Sequence, residues 1–247
     1  MPGEGAPVAR MAGAGHRDHP APATGSLRRR PGETSGLKAF ITIEGIEGAG
    51  KSTQAARLAD ALRRAGRDVV LTREPGGTEL GRTLRRLLLD EPVIEPMAET
   101  ELLLYLADRS EHVGRLIRPA LERGAVVVAD RFSDSTVAYQ AYGRGLPEED
   151  VRRLDRFARG GLLPALTFVL DVPAEVGLAR VQAAGPADRL EREPLEFHER
   201  VRAGFRAIAA AEPDRVVLLD GTREVDVLGR VIAERTQALL AGRAEDG

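Results

Sequence analysis

Gly45, Gly50, Lys51 and Ser52 stand at the spacing G-x-x-x-x-G-K-S, the pattern of a phosphate-binding loop. The chemistry on offer is capture of a triphosphate. Glycines let the backbone curl until the N–H groups of Ile46, Glu47, Gly48, Ala49 and Gly50 converge on phosphate oxygens. A helical pattern begins near Lys51 and runs on through Thr53, so its positive dipole end meets the same anion. Lys51 is expected to reach the β and γ phosphates, and the Ser52 hydroxyl to hold Mg²⁺. The choice of lysine is itself informative. Among 36 basic residues only Lys38 and Lys51 are lysines. A flexible ammonium enters a tight nest of N–H groups where the planar guanidinium fits poorly.

Other charged or aromatic residues sit where chemistry is possible. Arg73 ends an apolar run just before the bend Pro75-Gly76-Gly77. Tyr105 and Arg109 are four apart in a helical pattern and so share a face, offering an aromatic plane beside a guanidinium. Taken alone, that pair also reads as a core tyrosine next to a surface arginine. Asp130-Arg131 follows the most apolar run of the chain, Ala125 to Ala129. It reads either as a ligand pair or as a simple ion pair.

Bulk properties exclude several classes. The chain has 247 residues, 43% hydrophobic, with a net charge of −2, so nothing favours a general affinity for nucleic acid or anionic membrane. The absence of cysteine removes disulfides, thiolate metal sites and cysteine nucleophiles, and fits a cytoplasmic protein. The four histidines have no metal-ligand spacing outside the N-terminal tail, and no apolar run reaches the length of a membrane span.

The elements that must position these groups alternate strand and helix. Residues 1–37 are rich in Gly, Pro, Ala and Arg without periodicity and are expected to be a disordered extension. From 38 to 247 a single domain is expected. Its strands are Phe40–Ile43, Val69–Leu71, Ala125–Ala129, Leu166–Leu170 and Val216–Leu219, each read as a buried apolar run. Helices fall between them, including a long stretch from Glu99 to Glu122 with Pro119 as a kink and a polar one from Ser133 to Tyr142. Continuous apolar strands alternating with helices predict an α/β three-layer sandwich of the P-loop NTPase type. Its sheet has five parallel strands, helices on both faces and ligands at the carboxyl ends of the strands.

From Lys38 to about Leu240 the chain resembles the thymidylate kinases, of the nucleoside monophosphate kinase group. The resemblance is carried by Gly45–Ser52, by Thr72-Arg73-Glu74-Pro75-Gly76-Gly77-Thr78, by Tyr105 with Arg109, by Asp130-Arg131-Phe132, and by Ser135-Thr136 with Tyr139-Gln140. It implies transfer of the γ-phosphoryl group of Mg-ATP to dTMP in a cytoplasmic homodimer. Arg73 would hold the acceptor's 5′ phosphate, Tyr105 would stack on thymine, and Arg109 would donate to its O4. Glu47 would bind the 3′ hydroxyl, Tyr139 would crowd out a 2′ hydroxyl, and Thr136 would lie near the base edge. Asp130 would act near Mg²⁺, directly or through water, and Arg131 would bridge the two phosphates. Some family members carry an arginine in the loop where this chain has Gly48. The irregular segment 185–194, with Asp188-Arg189-Leu190-Glu191, resembles the family's lid and would supply the missing charge through Arg189, with Arg180 and Arg192 as competitors. The rival readings are a kinase for another pyrimidine nucleotide, a P-loop regulatory ATPase, and a non-catalytic nucleotide-binding module.

Overall fold

In the computed structural model the described residues are 39–90 and 95–241; the extension expected over 1–37 lies outside them. Five strands form one wholly parallel sheet in the order β2-β3-β1-β4-β5. They are β1 (Phe40–Glu44), β2 (Val69–Arg73), β3 (Val126–Asp130), β4 (Leu166–Asp171) and β5 (Val216–Asp220). The most apolar runs are innermost: β1 is buried throughout, and β3 as far as Ala129. Period-two alternation sends Phe40, Val127 and Ala129 into one hydrophobic cluster, and Ile41, Ile43, Val126 and Val128 into the other. The sheet is therefore covered on both faces.

The outer strands depart from the expectation of full burial. Leu71 is 39% exposed and Leu218 is 40% exposed, because β2 and β5 have a neighbour on one side only. All five strands also run past the apolar stretch into a charged residue. Glu44 ends β1, Arg73 ends β2, Asp130 ends β3, Asp171 ends β4 and Asp220 ends β5. Arg73 is in register with Asp130, so the charges gather along one edge.

The helices are α1 (Lys51–Arg64), α2 (Glu79–Arg85), α3 (Ala98–His112), α4 (Arg118–Glu122), α5 (Ser133–Thr136), α6 (Glu148–Ala158), α7 (Ala174–Ala184), α8 (Leu195–Ala211) and α9 (Val225–Ala241). The long stretch after residue 98 is irregular before Pro119 rather than at it. A π-helical turn, Val113–Ile117, separates α3 from α4, and Pro119 sits in the first turn of α4, where its missing N–H breaks no bond. The expected polar helix at 133–142 is instead a short α5 and a π-helical run, Val137–Gly143, almost wholly buried. Its Ser133, Asp134, Thr136 and Gln140 are each under 5% exposed. Their polar groups are buried because other polar groups meet them. Residues 185–194 form turns between α7 and α8.

Candidate active site

A cleft of about 480 Å³ opens over the carboxyl edge of the sheet, floored by Glu47, Gly48 and residues 50–53 and walled by α3, the 131–140 segment and the turns after α7. Lys51 folds over the loop and donates to the Ile46 carbonyl at 2.6 Å. Burial, reinforced by Arg131, brings its ammonium down to about 8 against the opposing pull of Asp130, Glu47 and Glu44.

Arg131 joins the two sides of the cleft. Its Nη1 donates to the Gly45 carbonyl at 2.9 Å and to Ser135 Oγ at 3.1 Å, while Nη2 donates to Glu47 Oε1 and Tyr139 Oη, both at 3.0 Å. Its φ of 71° is left-handed, a conformation that non-glycine residues rarely hold without surrounding contacts. Burial would raise the Glu47 carboxyl, but His198, Arg131, Lys51 and Tyr139 overcome this and bring it to about 2. Glu47 is thus a fixed anion within a phosphate loop, held away from the N–H nest by partners on the opposite wall.

Tyr105, Arg109 and Thr136 line the same cleft. Arg109 is not the surface arginine of the simpler reading: it is 2% exposed. Its Nε and Nη2 donate to Glu74 Oε2, at 2.9 and 2.7 Å, and its Nη1 to Thr136 Oγ1 and Asp155 Oδ1, at 2.6 and 2.8 Å. A guanidinium has five N–H groups, so one, on Nη2, is left without a protein acceptor among the described residues. Burial raises the Glu74 carboxyl, and Arg109 with His112 reverses that and holds it below the ordinary range. Arg73 lines the cleft, and among the described residues its guanidinium forms no ion pair.

The donor set suits a hard cation. Ser52 Oγ is in short contact with Asp130 Oδ2 at the rim of the cleft, two adjacent oxygen ligands of the kind Mg²⁺ accepts beside phosphate oxygens. No group of three or more His, Cys, Asp or Glu suited to a metal occurs among the described residues. A cation here would therefore rely on the nucleotide for its other ligands.

Arg189 is not brought to the loop. It is 9% exposed, its Nε donates to the Leu88 carbonyl at 2.7 Å, and its Nη2 pairs with buried Glu101 at 2.6 Å. Glu101 also takes Gln140 and Arg144, so Arg189 fastens the turns after α7 to α3. Arg192 caps its own turn at Ala187. Of the three lid candidates, Arg180 reaches the loop: its Nη1 lies 3.3 Å from the Gly48 carbonyl. Sequence reading gave no role to Glu74, Asp155, Glu101 or His198, all buried. Glu74 stood inside a quoted motif, whereas the others carry no local signal.

Comparison with known proteins points to one family. Residues 43–232 match the family model described as thymidylate kinase. A thymidylate kinase of Synechococcus sp. (strain JA-2-3B'a(2-13)) is 55% identical over 208 residues, covering 83% of this chain and 98% of the relative. One from Thermomicrobium roseum is 52% identical over 206 residues, covering 83% and 97%. The crystal structure of thymidylate kinase from Ehrlichia chaffeensis superposes with a TM-score of 0.66 at 34% identity, covering 81% of this chain and 98% of that one.

Proposed function

The chain belongs to the thymidylate kinase family, enzymes that phosphorylate dTMP to dTDP, and from that premise we propose how its residues divide the work. Residues 45–53 hold ATP, with Lys51 on the β and γ phosphates. Across the cleft, Arg73 takes the acceptor's 5′ phosphate, Tyr105 stacks on thymine, and the remaining Nη2 N–H of Arg109 meets O4, with Thr136 beside it. Glu47 accepts from the 3′ hydroxyl, and Tyr139 occupies the space a 2′ hydroxyl would need.

The acceptor phosphate is already anionic near neutral pH, so transfer needs alignment and charge neutralisation rather than a general base. Ser52 and Asp130 would hold Mg²⁺, which neutralises phosphate charge when bound. Arg131 neutralises the migrating group between donor and acceptor. The observation that carries this reading is the span of Arg131, from the Gly45 carbonyl of the loop to Glu47 and Tyr139 on the acceptor side. Arg180, beside Gly48, supplies the further arginine in place of Arg189. The protein acts in the cytoplasm as a homodimer; exposed Leu103 on α3 and Phe157 on the adjoining α6 support an apolar contact there, to be checked by light scattering.

Paired variants test the arginine assignment. R180A is expected to lower kcat by roughly 10²–10³-fold, the usual cost of one transition-state donor, with little change in either KM. R189A is expected to loosen the lid and lower Tm with a much smaller loss of kcat. The reverse order would return the role to Arg189.

A further inference from the structure

His198, on α8, is fully buried, and its Nδ1 lies 3.1 Å from Glu47 Oε2. Its other ring nitrogen, Nε2, is buried without a partner among the described residues. An unpaired ring nitrogen beside the Phe197 ring carries a desolvation cost that a leucine in the same place would avoid. What the histidine gains there is the bond to Glu47.

That bond has a defined direction. Glu47 is ionised and can only accept, so Nδ1 carries the proton whatever the charge of the ring. An ionised carboxylate offers about four acceptor positions. Arg131 and Tyr139 both donate to Oε1, and His198 takes one position on Oε2. The position still open is therefore the second one on Oε2. The terminal torsion of a glutamate is soft by itself, and a donor on each oxygen fixes it.

We propose that His198 is a positioning residue for sugar recognition: its Nδ1–H sets the Glu47 carboxylate so that the open position on Oε2 faces the 3′ hydroxyl of the acceptor deoxyribose. This rests on the reading of Glu47 as the ligand of that hydroxyl. His198 touches no substrate and acts only through Glu47.

The test compares dTMP with 3′-deoxy-dTMP as acceptors in the full-length wild-type enzyme, H198L and H198N, together with the KM for ATP and the melting temperature. The wild type should prefer dTMP. In H198L that preference should fall about tenfold, the scale of one hydrogen bond to a charged group, with the ATP KM and melting temperature nearly unchanged. In H198N, whose amide donor can stand near the Nδ1 position, most of the preference should return. If H198L does not fold, H198Q, with its donor one bond farther out, is expected to lose the preference instead. A preference kept in H198L or H198Q overturns the role of His198 while leaving Glu47 in place. A wild type indifferent to the 3′ hydroxyl overturns both.

Discussion

Gly48 of the phosphate loop and Gly177 of α7 pack backbone to backbone. A Cβ on Gly48 would stand 2.1 Å from the Gly177 carbonyl oxygen, and one on Gly177 would stand 2.4 Å from the Glu47 carbonyl oxygen. Both are far inside van der Waals contact, and neither obstruction is a movable side chain. This close approach carries Arg180, one turn along α7, to the Gly48 carbonyl. It also leaves no room for a side chain at position 48.

G177A should therefore separate α7 from the loop. Its effect is steric, since Gly177 lies within a regular helix. We expect a loss of about 1–3 kcal/mol in stability, as for other overpacked sites, and a fall in kcat resembling that of R180A. Denaturant melts and steady-state kinetics measure the two effects.

Lys51 gives a pH dependence. Its folded value of about 8 lies below the ordinary lysine value of 10.5, and the charged form binds phosphate. In the free enzyme that charge is lost as pH rises through about 8, so kcat/KM for ATP should decline above that point. A flat profile of kcat/KM for ATP from pH 7 to 9.5 would contradict the assignment.

Arg109 holds together more than the base pocket. Removing it takes the guanidinium from two nearly inaccessible carboxylates, leaving Glu74 with His112 and Asp155 with Arg159 and Ser133. R109A should cost about 3–5 kcal/mol of stability as well as acceptor use. Y105A is the cleaner probe of base stacking, raising the KM for dTMP by roughly tenfold, about the strength of one base–aromatic stack, without the same loss of stability.

Asp108, on α3, shows the opposite sign of linkage. Burial, then Glu74, raises its carboxyl from 3.8 to about 6. Between those values the unfolded chain releases a proton that the folded chain keeps, so its contribution to stability falls as pH rises through that window. D108N keeps the oxygen that accepts from Gly76 N–H and should flatten the pH dependence of Tm between about pH 4 and 6. An unchanged slope would remove Asp108 from that role.

The sheet was legible because its apolar runs are continuous and its turns carry glycine and proline. The loop at 45–52 was legible because its chemistry is local. Arg109 shows where such reading stops. Its spacing from Tyr105 is visible in the sequence, but its partners Glu74 and Asp155 lie 35 and 46 residues away, and only folding brings them together. The pairing of Arg189 was hidden for the same reason: Glu101, its partner, is 88 residues distant. His198 gave no signal, because one histidine on a helix is informative only when its neighbour across space is known.

The central claim is that one cleft holds ATP at the loop and a thymine nucleotide against Tyr105 and Arg109. Its most direct test is ADP release by the wild-type enzyme with dTMP, dUMP, UMP, CMP, AMP and GMP as competing acceptors. The account predicts the highest kcat/KM for dTMP, weaker use of dUMP and little use of the purine nucleotides. A clear preference for AMP or GMP would contradict it.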